Sequence, residues 1–226
     1  MLLDKSNLNL SWPLDKDRAK LVQESLRKEV RITPLASGIS YVAGVDAAFF
    51  EDKAIGAACL FSYPGLELIE ETYCIKDAGF PYIPGLLSFR EGPAVIAAIE
   101  RLKIRPDVVI FDGQGIAHPE GLGIASYAGV LLDLPSIGSA KSWLVGTFKE
   151  PGTRRGSKTM LKYNGEVVGA VLRTRENTKP LFVSPGHRID IDGSVEVVLA
   201  CTTVYRVTEP VRCADLLTKK LKSRFE

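Results

Sequence analysis

Pro106-Asp107-Val108-Val109-Ile110-Phe111-Asp112-Gly113-Gln114-Gly115-Ile116-Ala117-His118-Pro119 reads as a short apolar strand that ends on an acid and passes at once into a glycine turn carrying a histidine. The carboxyl end of a buried strand is where an open α/β sheet holds a metal or a reacting group. A second acid, Asp46, sits inside the apolar run Tyr41-Val42-Ala43-Gly44-Val45-Asp46-Ala47-Ala48-Phe49-Phe50. A buried carboxylate without a charged partner is costly, so two such acids in a small domain point to a shared cation.

Working outward, residues 14–30 have the pattern of a charged amphipathic helix with Leu21, Val22, Leu26 and Val30 on one side. Strand-like runs follow near 39–50, 54–63 and 66–76, divided by Glu51-Asp52-Lys53 and by Pro64-Gly65. Short strands joined by tight turns imply an antiparallel meander. The loop Gly79-Phe80-Pro81-Tyr82-Ile83-Pro84-Gly85 precedes a helix through Ala94–Leu102. The strand 107–111, a Gly/Ala-rich helix at 121–132 and a strand at 135–139 alternate as a parallel portion of a sheet does. Two β-like runs, 159–174 and 180–184, and two terminal helices, 194–203 and 213–222, complete the pattern. Nothing repeats and no linker divides the chain, so residues 1–226 are expected to form a single α/β domain on a mixed sheet flanked by helices. Antiparallel strands followed by parallel ones match the ribonuclease H-like architecture.

Bulk composition narrows the class. At 226 residues, 46% hydrophobic and 25% charged, the chain is that of an ordinary globular protein. No apolar run reaches the roughly 20 residues needed to span a bilayer. The start, MLLDKSNLNLSWPLDKDR, lacks the apolar core of a signal peptide, so a cytoplasmic location is expected. Cys59, Cys74, Cys201 and Cys213 have no CxxC spacing and read as reduced packing residues, not a zinc site or disulfide frame. The net charge of +2 does not decide for or against nucleic acid, since a local basic surface is what matters. Lys149, Arg154, Arg155, Lys158 and Lys162 form one basic cluster, Arg173, Arg175 and Lys179 a second, and Lys219, Lys220, Lys222 and Arg224 a third. Each is also what a solvated face looks like.

A third acid, Glu91, stands in Ser88-Phe89-Arg90-Glu91-Gly92-Pro93. Ser88-x-x-Glu91 has the form of a capping box. Proline prefers the first helical turn, however, which moves the expected helix start toward Gly92 and frees Glu91 to face the sheet. Three carboxylates without a His/Cys cluster favour Mg²⁺ or Mn²⁺ over zinc. Such a site suits in-line attack on a phosphodiester.

Five stretches carry a family resemblance: Tyr41–Asp46, Pro81–Pro93, Asp112–Pro119, Gly129–Lys141 and Val183–Ile189. They closely resemble endonuclease V, and the resemblance runs from about residue 15 to 218. It implies a Mg²⁺-dependent repair nuclease of ribonuclease H-like fold that recognises deoxyinosine, in single- or double-stranded DNA, or inosine in RNA. The family hydrolyses the second phosphodiester bond 3′ to the lesion, leaving 3′-hydroxyl and 5′-phosphate ends. By motif, Asp46, Glu91 and Asp112 would be the metal-binding catalytic acids. Tyr82, between Pro81 and Ile83, would be the wedge that fills the stack when the lesion base leaves it, a task suited to a rigid exposed ring. His118 would lie beside the metal and the scissile phosphate, and Lys141 would contact that phosphate as a point charge. Gly85, Leu87, Gly113, Ile124 and Gly138 would surround the flipped base, glycines permitting close backbone approach. Asp215 matches a segment that supplies a further acid or histidine.

The chain departs from the family's pattern at Ala48-Phe49, Gln114, Tyr127 and Ser142-Trp143. Trp143 is expected either to pack on a helix after the 135–139 strand or to contact DNA. These departures spare the acids and bear on DNA affinity and base selection. Gly44-Val45-Asp46-Ala47-Ala48 also resembles the phosphate loop of actin-like ATPases, but those need two such lobes, for which 226 residues are too few. A non-catalytic inosine-binding protein would have no use for three acids. A compact chain of this kind is expected to act as a monomer, on DNA ahead of RNA.

Overall fold

Residues 12–35 and 38–225 are described in a computed structural model of the chain. Most of the stretch read for a signal peptide, residues 1–11, lies outside the described residues.

The chain opens with α1 (Lys16–Arg27) and a three-stranded meander, β1 (Tyr41–Phe50), β2 (Lys53–Ser62) and β3 (Leu68–Asp77). It continues through α2 (Ser88–Glu100), β4 (Val108–Phe111), α3 (Ile124–Leu132) and β5 (Ser136–Ala140). Then come β6 (Lys158–Tyr163), β7 (Glu166–Leu172), β8 (Leu181–His187), α4 (Ile191–Ala200) and α5 (Glu209–Lys222). All eight strands join one sheet in the order β3-β2-β1-β4-β5-β8-β7-β6. β1, β2 and β3 pair antiparallel, and β1, β4 and β5 pair parallel, which is the ribonuclease H-like order. Beyond β5 the sheet turns antiparallel again, so the β-like runs read at 159–174 and 180–184 pair antiparallel where a parallel continuation was expected. The run read as one strand over 159–174 is a hairpin broken at Asn164-Gly165, whose φ values are +51° and +84°. Asn-Gly is the dipeptide that tolerates a left-handed pair and so closes a tight turn.

Both faces of the sheet are covered. Ala19 and Leu26 of α1, Phe89 and Val95 of α2, and Tyr127 and Ala128 of α3 bury one face together with Val45 and Val109. Val195 and Val198 of α4 and Val211 and Ala214 of α5 bury the other with Val42, Ala57 and Ile110. Two glycines set how closely the helices lie. A Cβ on Gly44 would stand 2.0 Å from the Pro210 carbonyl carbon of α5, and one on Gly56 2.3 Å from the Ala94 carbonyl carbon of α2. The glycines therefore allow backbone-to-backbone seating that a side chain would force apart.

Helix details differ from the expectation in three places. α2 begins at Ser88 and continues through Pro93, with no side-chain capping bond, so the Ser88–Glu91 capping box does not form. The turns after Pro93 pack directly on Gly56, and that tertiary contact outweighs the proline's local preference. On α1, Leu21 is exposed and Gln23 is buried, the reverse of the apolar-face reading. No helix follows β5; residues 141–147 are bends and a bridge, and Trp143 lies there. No helix among the described residues is long and apolar enough to cross a membrane.

Candidate active site

The parallel register places the first two acids. β1 and β4 pair from Val42↔Val108 to Val45↔Phe111 and then part. Asp46 and Asp112 are the next residue on each strand, so the two carboxylates start at the same height where the strands separate. The amide of Asp112 still reaches the Val45 carbonyl at 3.5 Å. This split at the carboxyl ends of neighbouring parallel strands is where open α/β sheets leave a crevice. Glu91 enters from the first turns of α2. Asp46, Glu91 and Asp112 line a small cleft of about 80 Å³ with Val45, Ala47, Val95, Phe111 and Ile124. Two larger clefts, of about 520 and 450 Å³, lie around Pro34, Leu35 and Ile39 and contain none of these acids.

Electrostatics in the cleft are strained by like charge. Burial pushes the Glu91 carboxyl up to about 8, and the nearby charges of Asp46 and Asp112 push the same way. Burial raises Asp46 to about 6, opposed by a hydrogen bond from Thr218 and raised further by Asp112 and Asp215. The Thr218 hydroxyl donates to Asp46 Oδ2 at 2.8 Å. Lys141 forms a salt bridge with Asp112 and is the nearest ammonium to the cleft. Asp215, on α5, pairs with Lys219 at 2.7 Å, and its charge reaches both Asp46 and Lys141. Lys219 is taken up by Asp215, so among the described residues Lys141 is the ammonium left to offset Asp46, Glu91 and Asp112, and negative charge stays uncompensated. A hard divalent cation fits this donor set: three carboxylates of hard oxygen, two of them raised above their ordinary range by burial first and by neighbouring carboxylates after it.

His118 is buried and its ring is held down to about 4 by that burial. Its Nδ1 accepts the backbone N–H of Glu120 at 3.2 Å, which leaves the ring proton on Nε2. His118 is thus a neutral donor near pH 7, not a base. Around the turn, backbones crowd together. A Cβ on Gly138 would lie 2.3 Å from the Gly115 nitrogen, and one on Gly113 2.6 Å from Ile124 Cγ2. Gly85 takes φ +81°, and a Cβ there would lie 3.9 Å from the His118 ring. Gly85, Gly113, Gly138, Ile124 and His118 therefore gather at one end of the sheet. Leu87 sits one residue ahead of α2 and is exposed.

Tyr82 is 70% exposed, flanked by exposed Pro81 and half-buried Ile83. The loop beneath it is anchored. Phe80 is buried against Phe89 at 5.6 Å between ring centroids. Arg90 donates to the Phe80 carbonyl at 2.9 Å, and its guanidinium lies over the Phe49 ring. Gln23 of α1 donates to the Gly85 carbonyl at 3.1 Å, which explains why a polar side chain is buried on that helix. Trp143 is 58% exposed, so it is not core. Its indole N–H donates to the Val145 carbonyl at 2.8 Å, and the ring meets Phe148 edge-on. Gln114 donates to the Ser142 carbonyl at 3.2 Å. Tyr127 is buried between Phe89 and Trp12, and among the described residues its hydroxyl has no hydrogen-bond partner.

Sequence reasoning missed Thr218, Gln23, Arg90 and Ser184, whose hydroxyl accepts the Gly115 N–H at 2.8 Å. Thr218 had a usable signal: it lies three residues after Asp215, hence on the same side of a helix. The other three bond to backbone groups distant in sequence and carried none.

Comparison with known proteins matches this geometry to one family. The endonuclease V family model matches residues 24–216. Endonuclease V of Dictyoglomus turgidum is 47% identical over 210 residues, covering 93% of this chain and 92% of the relative. The protein of that name from Methanothrix thermoacetophila is 47% identical over 210 residues, with 93% of each chain covered. The crystal structure of endonuclease V from Streptomyces avermitilis superposes with a TM-score of 0.89 at 39% identity, covering 96% of this chain and 97% of that one. Endonuclease V of Ciona intestinalis, in complex with a DNA containing an inosine followed by a ribo-adenosine, gives 0.81 at 26% identity, covering 94% of this chain and 100% of that one. With the acids at the strand split, the sheet order and the match along nearly the whole chain in agreement, this chain belongs to the endonuclease V family and is a nuclease.

Proposed function

We propose that this nuclease is a Mg²⁺-dependent repair endonuclease acting on DNA that contains deoxyinosine. It hydrolyses the second phosphodiester bond 3′ to the lesion and leaves 3′-hydroxyl and 5′-phosphate ends. The observation that carries this reading is the level placement of Asp46 and Asp112 at the parting of β1 and β4, with Glu91 on the same cleft. Asp46, Glu91 and Asp112 would hold the cation, with Mn²⁺ able to replace Mg²⁺. When bound, the cation supplies the positive charge that a scissile phosphate and three carboxylates need in order to meet.

The chain's own residues divide the remaining work. Lys141 offers an ammonium beside Asp112, placed to attract a phosphate oxygen. His118, neutral with its proton on Nε2, can donate to a non-bridging oxygen without adding charge. Thr218 fixes the Asp46 carboxylate by a hydrogen bond, and Asp215 holds Lys219 on the same helix. Tyr82, raised on an anchored loop, enters the space that a flipped base vacates, and the backbone of Gly85, Gly113 and Gly138 reads the base edge beside Ile124. The substrate complex of the Ciona relative supports inosine-bearing nucleic acid as the ligand class. The enzyme acts as a cytoplasmic monomer in this reading.

End-labelled strands carrying a single deoxyinosine, a single inosine in RNA, or adenine in the same place test the proposal, each with Mg²⁺ or with EDTA. The expected product is a cut one nucleotide beyond the lesion's neighbouring bond, in the deoxyinosine strand and with Mg²⁺ alone. Equal cutting of the adenine strand refutes inosine recognition. Faster cutting of the RNA strand reassigns the enzyme as an inosine-specific endoribonuclease.

A further inference from the structure

A second cluster of potential ligands, outside the acid cleft, joins β2 and β3 to α5, the helix that carries Asp215. Cys59 on β2 is directly opposite Gly44 of β1 and Glu71 of β3. Because Gly44 has no side chain, α5 seats hard against the sheet, and Cys213, one turn beyond Pro210, comes down over the Cys59–Glu71 pair. The Cys213 thiol donates to Glu71 Oε1 at 3.4 Å. One ligand atom from each of Cys59, Glu71 and Cys213 lies within 4.8 Å of the other two. No other trio of His, Cys, Asp or Glu among the described residues meets that distance, the three acids of the nuclease cleft included.

The environment of this trio is graded. Cys59 is fully buried among Ala57, Val211 and Ala214, Cys213 is half-buried, and Glu71 is exposed. Two sulfurs and one oxygen thus converge from three elements, closed on the sheet side and open to water on the carboxylate side. Bond lengths of about 2.3 Å to sulfur and about 2.0–2.2 Å to oxygen put tetrahedral sulfur and oxygen donors roughly 3.5–3.8 Å apart. From separations within 4.8 Å, the trio therefore needs a contraction of about 1.3 Å or less to take a tetrahedral ion. Thiolates select a zinc-like cation and disfavour Mg²⁺, which takes hard oxygen ligands.

We propose that Cys59, Glu71 and Cys213 form a binding site for one thiophilic divalent cation of the zinc class, with a fourth position open to water. Its effect is structural: it fastens α5 to β2 and β3, the helix that carries Thr218 and Asp215 to the acid cleft. The unconnected cysteines of the sequence are, for Cys59 and Cys213, a paired set in space.

The test uses the full chain, reduced and stripped of metal, with Mg²⁺ in excess to occupy hard-oxygen sites. Co²⁺ is then titrated while the near-ultraviolet thiolate-to-cobalt charge-transfer absorption is followed. The expected result is one equivalent of Co²⁺ showing that band, displaced by Zn²⁺, with Zn²⁺ raising the melting temperature. Cys213→Ser and Cys59→Ala should each abolish the band. Since outer partners of a ligand alone alter metal affinity about 10–100-fold, Cys213→Ser should weaken Zn²⁺ binding by more than that. Asp112→Asn should leave the band intact, because the nuclease acids take no part. Far-ultraviolet circular dichroism confirms that each variant is folded, and the half-buried Cys213→Ser change serves if Cys59→Ala does not fold. Absence of the band in the folded wild type, its survival in Cys213→Ser, or its loss in Asp112→Asn overturns the proposal.

Discussion

The acid cleft and the two loops that carry exposed Tyr82 and Trp143 are built on opposite terms. Asp46, Glu91 and Asp112 are fixed by strand register and by helices packed on both faces, and their charge is crowded. Tyr82 and Trp143 stand out in solvent on loops whose bases alone are anchored. The difference teaches where each kind of work can be placed. Charge that must not move is set at strand ends, where neighbouring backbone fixes its position and burial strengthens its field. Exposed rings such as Tyr82 and Trp143 lose little when water leaves them, which would suit contacts that must adapt to a polymer. Removing a part of the first region should therefore cost turnover, and removing a part of the second should cost binding.

The largest expected effect tests that division directly. Asp112→Asn keeps the shape of the side chain and removes its charge, and the cleavage rate should fall by at least about 10²–10³-fold. Binding to the inosine-bearing strand and the melting temperature should stay close to wild type. Single-turnover cleavage, a binding isotherm and a melting curve measure the three; near-normal turnover in Mg²⁺ would remove the acid cleft from the chemistry.

A stability effect comes next. Glu91 holds its proton up to about 8 in the folded chain, against an ordinary carboxyl value near 4.3 in an unfolded one. Between those values the folded state binds more protons than the unfolded state, so stability falls as pH rises. His118 acts in the other direction, but only between about 4 and its ordinary 6.5, where the unfolded state takes up a proton that the fold refuses. Asp46, raised to about 6, acts in the same direction as Glu91 at lower pH, so the window from about pH 7 to 8 is the one governed by Glu91. In EDTA the melting temperature should drop across it, Mg²⁺ should remove most of the drop, and Glu91→Gln should flatten it. A flat wild-type profile in EDTA would mean that the crowded carboxylate is not there.

For the loops, Tyr82→Ala should weaken binding to inosine-containing duplex by about 1–3 kcal/mol, the range of a lost base–aromatic contact. Single strands should lose less, since they have no stack to wedge. Equal losses on both would turn Tyr82 from a wedge into a general stacking surface.

The smallest effect belongs to Trp143. Its exposure leaves room for a charge, and one added phosphate contact steepens the log–log salt dependence of duplex binding by about 0.9. Trp143→Arg should give a slope steeper by about that amount, tighter binding at low salt and little change in melting temperature. An unchanged slope would show that this loop does not meet the DNA backbone.

Much of the cleft was legible because its acids interrupt apolar patterns. Asp46 and Asp112 each stand at the end of a buried run, and a charge in that position has few structural uses. The sheet's first five strands were legible for the same reason, through periodicity and turn residues. The helix start at Ser88 was misread because Pro93 speaks against a helix locally, while contact with Gly56, distant in sequence, holds the helix through it. Leu21 was placed on the apolar face and Gln23 was not, because the partner that buries Gln23, the Gly85 carbonyl, lies 62 residues away. The β6–β7 hairpin was an avoidable miss, since Asn164-Gly165 is a turn signal in its own right.

By itself the sequence determined the residue types that can do this chemistry, the order of strands and helices as far as β5, and a family resemblance carried by long motifs. These are local properties: apolar period, turn chemistry and the identity of side chains in a continuous stretch. Only the tertiary structure decided that Asp46 and Asp112 stand level across a parting pair of strands, that Thr218 reaches Asp46, and that Cys59 and Cys213 meet over Glu71. Those facts depend on strand register and on how closely α5 settles over Gly44, and both are set by packing among residues far apart in the chain, which no local pattern encodes.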